Sequence, residues 1–354
     1  MKKSFYILIL NLLALETFCQ DRDPARLTIS GSFSELGISP SEEIWVATRA
    51  GNTYYSKQLG DSWRIGPFGS FGPGLSNSGM TFERVNFFSE DTLMISGFIQ
   101  EGGRQDFVFW SGDHGKSWQK VVFGKSSWID AAFVNSNGKA WMSGSSQLIY
   151  YSQDRGKTWK SFDKVEPTGN LRFSTIFFAK DERTGLFGAT WNILYKTPDN
   201  CKSWEKLPTP LSQAKYQRLS KEERPDIRKI RIFGSYYIVN QQGRVFITKS
   251  DSIDWKYLPS VLDFEVTEND ELYIVSKTLG AELYNSVFIR TWQSEQSFDE
   301  CPTAIAVKNN KLFALTSRSI YKLSPDEFAC APLLTNDIPI PEPHTIFRRS
   351  RQWF

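Results

Sequence analysis

Two residue types that carry chemistry in many proteins are scarce in this sequence. Histidine occurs twice, as His114 and His344, and cysteine four times, as Cys19, Cys201, Cys301 and Cys330. A zinc centre gathers about four N, S or O ligands; with no Cys-x-x-Cys and no histidine-rich spacing, no metal site is expected. Charge of one sign is lacking too. The 42 Lys and Arg against 39 Asp and Glu leave a net +3, whereas nucleic-acid binders concentrate a basic surplus on one face. Nucleic acid is therefore not the expected partner. Past the amino terminus, no run reaches the roughly 18 apolar residues of a membrane span.

The amino terminus is the exception to the missing apolar runs. Lys2 and Lys3 precede an apolar segment over residues 6–15, and Asp21, Arg22 and Asp23 follow soon after. That length is too short for a bilayer and suits a secretory signal. Residues 1–19 are expected to be cleaved as a signal peptide, leaving Gln20 first. A lipid-anchored alternative would cut before Cys19, but Thr17 and Phe18 stand where small residues are usual. The mature chain is then secreted or periplasmic, where disulfides persist.

What the sequence has in quantity is aromatic: 27 Phe, 13 Tyr and 12 Trp, together with 24 Gly. Aromatic and β-branched side chains suit a pleated, half-buried surface, and Gly serves the turns between short strands. The fold class is all-β. Within it a turn recurs. Ser111, Asp113, Gly115 and Trp118 form a complete Ser/Thr-x-Asp-x-Gly-x-x-Trp box, as do Ser152, Asp154, Gly156 and Trp159. Thr197, Asp199 and Trp204 repeat it with Cys201 in place of Gly, and degraded copies run over residues 56–63 and 248–255. The terminal tryptophans follow one another at 55, 41, 45 and 51 residues, the period of four-stranded propeller blades. Within each box the Asp can accept backbone N–H groups of its own turn, Gly permits positive φ, and Trp locks turn to blade. These residues read as structural, not catalytic.

On these boxes the chain resembles the Asp-box (BNR-repeat) propellers, closest in repeat style to the photosystem II assembly-factor-like and sortilin-like propellers. The superfamily also contains sialidases and xyloglucan-cleaving glycosidases, so the box implies a fold and leaves the activity open. Short strand runs separated by turn residues over residues 20–335 predict a single β-propeller of about seven four-stranded antiparallel blades, with six or eight as alternatives. A Pro-rich basic tail, residues 336–354, is expected to be disordered. Residues 324–326 read as the opening of a further decayed box. Cys301 and Cys330 flank the strands of the last blade and are expected to form a disulfide, leaving Cys201 free.

Two functional readings compete. Sialidases carry an Arg-Ile-Pro motif near the start of the propeller; Arg22-Asp23-Pro24 breaks it, and no pair of carboxylates stands out for another glycosidase. The linker between the fourth and fifth blades is more distinctive. Lys215, Arg218, Lys221, Arg224 and Arg228 crowd it, with Lys229 and Arg231 just beyond and a short helix expected near residue 213. The expectation is a monomeric, exported, non-catalytic module that binds a protein or glycan through this linker and needs no cofactor. The alternative is a sialidase-like glycoside hydrolase with its site at the mouth of the central channel.

Overall fold

The second strand of the first blade, Ile44–Thr48, is buried along its whole length. Its period-two pattern sends Ile44 and Val46 to one neighbouring blade and Trp45 and Ala47 to the other. A sheet with both faces covered needs apolar side chains on both, and this requirement repeats around the ring. The computed structural model describes residues 33–332, apart from short internal stretches, the longest at 66–79, 122–128 and 163–170. The signal peptide, the Pro-rich tail, Lys221, Cys301 and the side chain of Cys330 lie outside the described residues, and with them the expected disulfide.

Twenty-eight strands form seven four-stranded sheets, each an antiparallel meander of consecutive strands. Blade one is β1 (Phe33–Ile38), β2 (Ile44–Thr48), β3 (Thr53–Ser56) and β4 (Trp63–Ile65). Blade two is β5 (Met80–Phe87), β6 (Leu93–Ile99), β7 (Gln105–Ser111) and β8 (Gln119–Val121). Blade three is β9 (Ile129–Val134), β10 (Ala140–Gly144), β11 (Ile149–Ser152) and β12 (Lys160–Ser161). Blade four is β13 (Phe173–Phe178), β14 (Gly185–Ala189), β15 (Ile193–Thr197) and β16 (Glu205–Leu207). A five-residue helix α1 (Gln213–Gln217) leads to blade five: β17 (Ile227–Phe233), β18 (Tyr236–Gln241), β19 (Arg244–Lys249) and β20 (Lys256–Leu258). Blade six is β21 (Val261–Val266), β22 (Leu272–Ser276), β23 (Gly280–Tyr284) and β24 (Arg290–Gln293). Blade seven is β25 (Ala304–Lys308), β26 (Lys311–Leu315), β27 (Ser319–Ser324) and β28 (Glu327–Pro332). Ser324 pairs with Glu327; Pro325 and Asp326, where a decayed box was expected to open, lie outside the described residues.

First strands neighbour one another around the ring and line its channel, with β25 against β1 closing it. Among the described residues no strand is exchanged between the first and last blades. Phe313, Leu315 and Ile320 of blade seven instead pack on Leu36, Ile38, Ile44, Val46 and Tyr54 of blade one. At the hairpin end of the seam, Glu42 accepts from Lys311 and Lys322 at 2.8 and 3.1 Å, and Asn309 Nδ2 donates to the Pro40 carbonyl at 2.9 Å.

A meander fixes which loops share a face. The turns between first and second strands and the boxes between third and fourth lie at one end, called here the lower face. Turns between second and third strands, and the links between blades, lie at the upper. In the first box, Asp113 accepts the Ser117 N–H at 2.8 Å and its hydroxyl at 2.6 Å, while Ser111 Oγ accepts the Gly115 N–H at 2.8 Å. Trp118 Nε1 donates back to the Gly115 carbonyl at 3.0 Å. The second box repeats this through Asp154, Thr158, Gly156 and Trp159. In the third, Asp199 accepts from Ser203 and Lys202, and Cys201 takes the glycine's place at a positive φ of 67°. Cys201 is a free thiol, and burial pushes its pKa up, which makes it a poor nucleophile.

Two predictions follow from these contacts. Phe313→Ala should destabilise by about 3–5 kcal/mol because the vacated seam cannot collapse, whereas Glu42→Gln, a partly exposed ion pair, should cost under about 1 kcal/mol. Urea unfolding of both variants tests whether apolar packing closes the ring. The Ser117 hydroxyl and N–H hold the Asp113 carboxyl down at about 2, below the ordinary 3.8. A lowered folded pKa contributes stability above the unfolded value and loses it as pH falls through the folded one. The melting temperature should therefore drop between pH 4 and 2, and that drop should be smaller in Asp113→Asn.

Candidate functional site

The linker from blade four to blade five crosses the upper face as a built structure. Ser212 caps α1, accepting the Lys215 N–H, and Tyr216 is buried beneath it. Lys215, Arg218, Arg224 and Arg228 are exposed. Arg224 lies over the Tyr216 ring and donates to the Leu219 carbonyl at 3.2 Å, so it also shapes the linker. Arg228 sits at a β-bulge, skipped in the pairing of β17 with β18, and a bulge re-aims the side chain it releases. Lys229 and Arg231, which in sequence extend the basic cluster, leave it in the fold. Lys229 pairs with Asp263 at 3.0 Å and Glu265 at 3.1 Å, and Arg231 pairs with Glu265.

Next to the linker is the turn between β14 and β15. Trp191 and Asn192 both have positive φ, 63° and 57°, a conformation that costs a bulky residue roughly 1–2 kcal/mol. The linker holds the turn in place. Gln213 Nε2 donates to the Trp191 and Asn192 carbonyls at 3.2 and 2.8 Å. Asn192 is fully buried, donating to Thr209 Oγ1 at 2.9 Å and accepting from Gln241. The Trp191 indole stays half in solvent, 50% exposed.

Charged side chains from three blades meet at the channel mouth. Glu83 and Asp130 occupy bulge positions in β5 and β9, and Arg172 binds Asp130 through two nitrogens. Arg104 Nη2 lies 3.0 Å from Asp106, 3.5 Å from Glu83 and 3.6 Å from Asp130. Burial raises the pKa of Glu83 and of Asp106 against the pull of Arg104. Deeper in, burial lifts Glu35 despite Arg84 at 3.6 Å. Burial also opposes ionisation of Glu265, but Arg231 and Lys229 outweigh it and bring that carboxyl to about 2. These acids are scattered among unremarkable carboxylates in the sequence. Only the ring brings them together, and no local signal marks them.

On the lower face, Glu43, Glu90 and His114 gather ligand-type atoms within 4.8 Å of one another. In the structure they form an inter-blade ion bridge. His114 Nδ1 lies 2.6 Å from the Glu90 carbonyl, which can only accept, and Nε2 lies 2.9 Å from Glu43 Oε2. Donation from both ring nitrogens, to this carbonyl and to the Glu43 carboxylate, favours the imidazolium. Trp45 Nε1 fixes Glu43 at 2.8 Å, and Ser41 holds both oxygens of Glu90.

Fold and boxes together define an Asp-box propeller of the sortilin and YCF48 type. A family model described as Sortilin, neurotensin receptor 3, matches residues 106–232, about a third of the chain and the part that holds the three boxes. Among solved structures, YCF48 bound to D1 peptide is 15% identical at TM-score 0.57, over 90% of this chain and 99% of that one. YCF48 from Cyanidioschyzon merolae is 13% identical at TM-score 0.59, over 85% and 98%. The GH74 xyloglucanase from Xanthomonas campestris is 13% identical at TM-score 0.55, over 85% of this chain and 53% of that one. No curated protein matches the sequence. At these identities the likeness is one of fold. No helix among the described residues is long and apolar enough to cross a membrane.

The His114 bridge predicts a pH response. Partial burial works against its charge, but the Glu90 carbonyl and Glu43 raise its pKa above the ordinary 6.5. A raised folded pKa contributes stability below the unfolded value, and the contribution disappears as pH rises through the folded one. NMR titration should place the His114 pKa above 6.5, and His114→Gln should flatten the loss of stability from pH 6 towards 8.

Proposed function

We propose that this chain is an exported, monomeric, non-catalytic propeller that binds a protein partner through its upper face and needs no cofactor. One observation carries the reading: the linker presents Lys215, Arg218, Arg224 and Arg228 to solvent on a braced platform, while Lys229 and Arg231 are spent inside the ring. Exposed cations beside a rigid scaffold suit recognition of an acidic partner, because complementary charge speeds encounter and fixes register. The likeness to YCF48, solved with a bound peptide, supports a peptide-binding use of the same fold. Lys221 continues the cluster in sequence, and the apolar amino-terminal segment supports export.

A glycoside hydrolase is the second reading, and the channel mouth favours it. Glu83 and Asp130 both approach Arg104 Nη2, which keeps the facing oxygens within about 7 Å, inside the range used by paired glycosidase carboxylates. The raised Glu83 would serve as the acid. Against it, Asp130 is tied to Arg172 through two nitrogens, and no Tyr joins the cluster among the described residues.

A fluorescent twelve-residue Asp/Glu-rich peptide with a central Phe tests the two together, with mature chain 20–354 as receptor. Binding should weaken as NaCl rises from about 50 to 500 mM. Replacing Lys215, Arg218 and Lys221 with Glu should weaken it at least about tenfold with the melting temperature unchanged. Fluorogenic sialosides and glucosides should not be cleaved. Turnover that disappears in Glu83→Gln would establish the hydrolase instead.

A further inference from the structure

Neither the ring nor the channel accounts for Trp191. Among the described residues the large exposed apolar side chains are Trp191 and Tyr257, and the Tyr257 ring rests against Phe246 at 5.5 Å. Buried tryptophans elsewhere have jobs: Trp141 stacks on Phe178 at 4.2 Å, and Trp45 donates to Glu43. Trp191 is instead placed in the left-handed region, where Gly or Asn would be comfortable, and its ring is left half in water. Gln213 Nε2 of the linker donates to the Trp191 carbonyl and to that of Asn192. The turn is therefore rigid while the indole is free.

We propose that Trp191 is the anchor of the upper face, packing against an apolar or aromatic side chain of an acidic protein segment. The segment's carboxylates lie over Lys215, Arg218 and Arg228. The proposal rests on the binding-module reading and names the partner's chemistry. Charge complementarity selects an acidic segment, because these three cations share the linker that grips Trp191. Interface energy concentrates in tryptophan anchors held in place before binding, since little side-chain freedom is lost on contact. A strained backbone that keeps a large ring in solvent lowers stability and is explained by what the ring contacts.

The test uses fluorescence anisotropy with two labelled acidic twelve-residue peptides, one with a central Phe and one with Ala there. The wild-type chain should bind the Phe peptide about tenfold or more tightly than the Ala peptide. Trp191→Ala and Trp191→Asn should both abolish that preference. Asn accepts the left-handed conformation, so Trp191→Asn should also melt at the same or a higher temperature; a fall of several degrees, as for a packing residue, overturns the proposal. Equal wild-type affinity for both peptides overturns the anchor while leaving the charged surface intact. Lys215→Glu with Arg218→Glu should weaken both peptides alike; if neither is weakened, the binding-surface reading itself fails. Tighter, Trp191-dependent binding of a heparin oligosaccharide than of either peptide overturns the protein partner in favour of a glycan.

Discussion

Everything in this molecule depends on apolar packing between neighbouring blades. Each blade is a four-stranded sheet that cannot bury its two faces alone, and the core is divided among the junctions between blades. β26 shows the constraint within five residues. Phe313 and Leu315 face blade one, and Leu312 and Ala314 face blade six. Because the last blade contributes its own four strands, closure depends on side-chain fit and on the Glu42 ion pairs, not on a shared sheet. A ring sealed this way is rigid at its centre and leaves its links free to vary.

Much of this was legible in the sequence because it is local. An Asp box completes its hydrogen bonds within eight residues, so Asp113, Asp154 and Asp199 could be assigned partners from spacing alone. The box over residues 197–204 falls between β15 and β16, as its place in the repeat requires. The degraded box of blade five keeps one function of the motif, since Thr248 Oγ1 still accepts the Asp254 N–H at 2.8 Å. The missed features are long-range. Lys229 and Arg231 read as surface cations until Asp263 and Glu265 arrive from the next blade. Glu83, Asp106, Asp130 and Arg172 meet only because the ring closes and bulges turn two of them towards the channel. Trp191 looked like one more aromatic in an aromatic blade, and its exposure comes from a backbone conformation that composition does not reveal.

The two faces divide the work. Asp boxes and the imidazolium bridge of His114 consolidate the lower face, where positive φ at His114, Arg155 and Asn200 is repaid by hydrogen bonds within and between blades. The upper face has the opposite character. The link between blades four and five carries exposed cations, and its hydrogen bonds brace a turn whose side chain is half exposed. In the channel between them, carboxylates and guanidiniums neutralise one another. The boxes and the His114 bridge thus sit on the lower face, and the exposed linker cations on the upper.

Indole NMR of the ¹⁵N-tryptophan-labelled chain 20–354 tests this division most directly, because the described tryptophans, among them Trp45, Trp118, Trp159 and Trp191, are spread over several blades. Titration with the acidic Phe peptide should shift the Trp191 indole resonance, identified by its loss in Trp191→Asn, and leave box tryptophans such as Trp118 and Trp159 in place. An unmoved Trp191 signal, with the peptide bound and the Trp118 or Trp159 resonances shifting instead, would contradict the account.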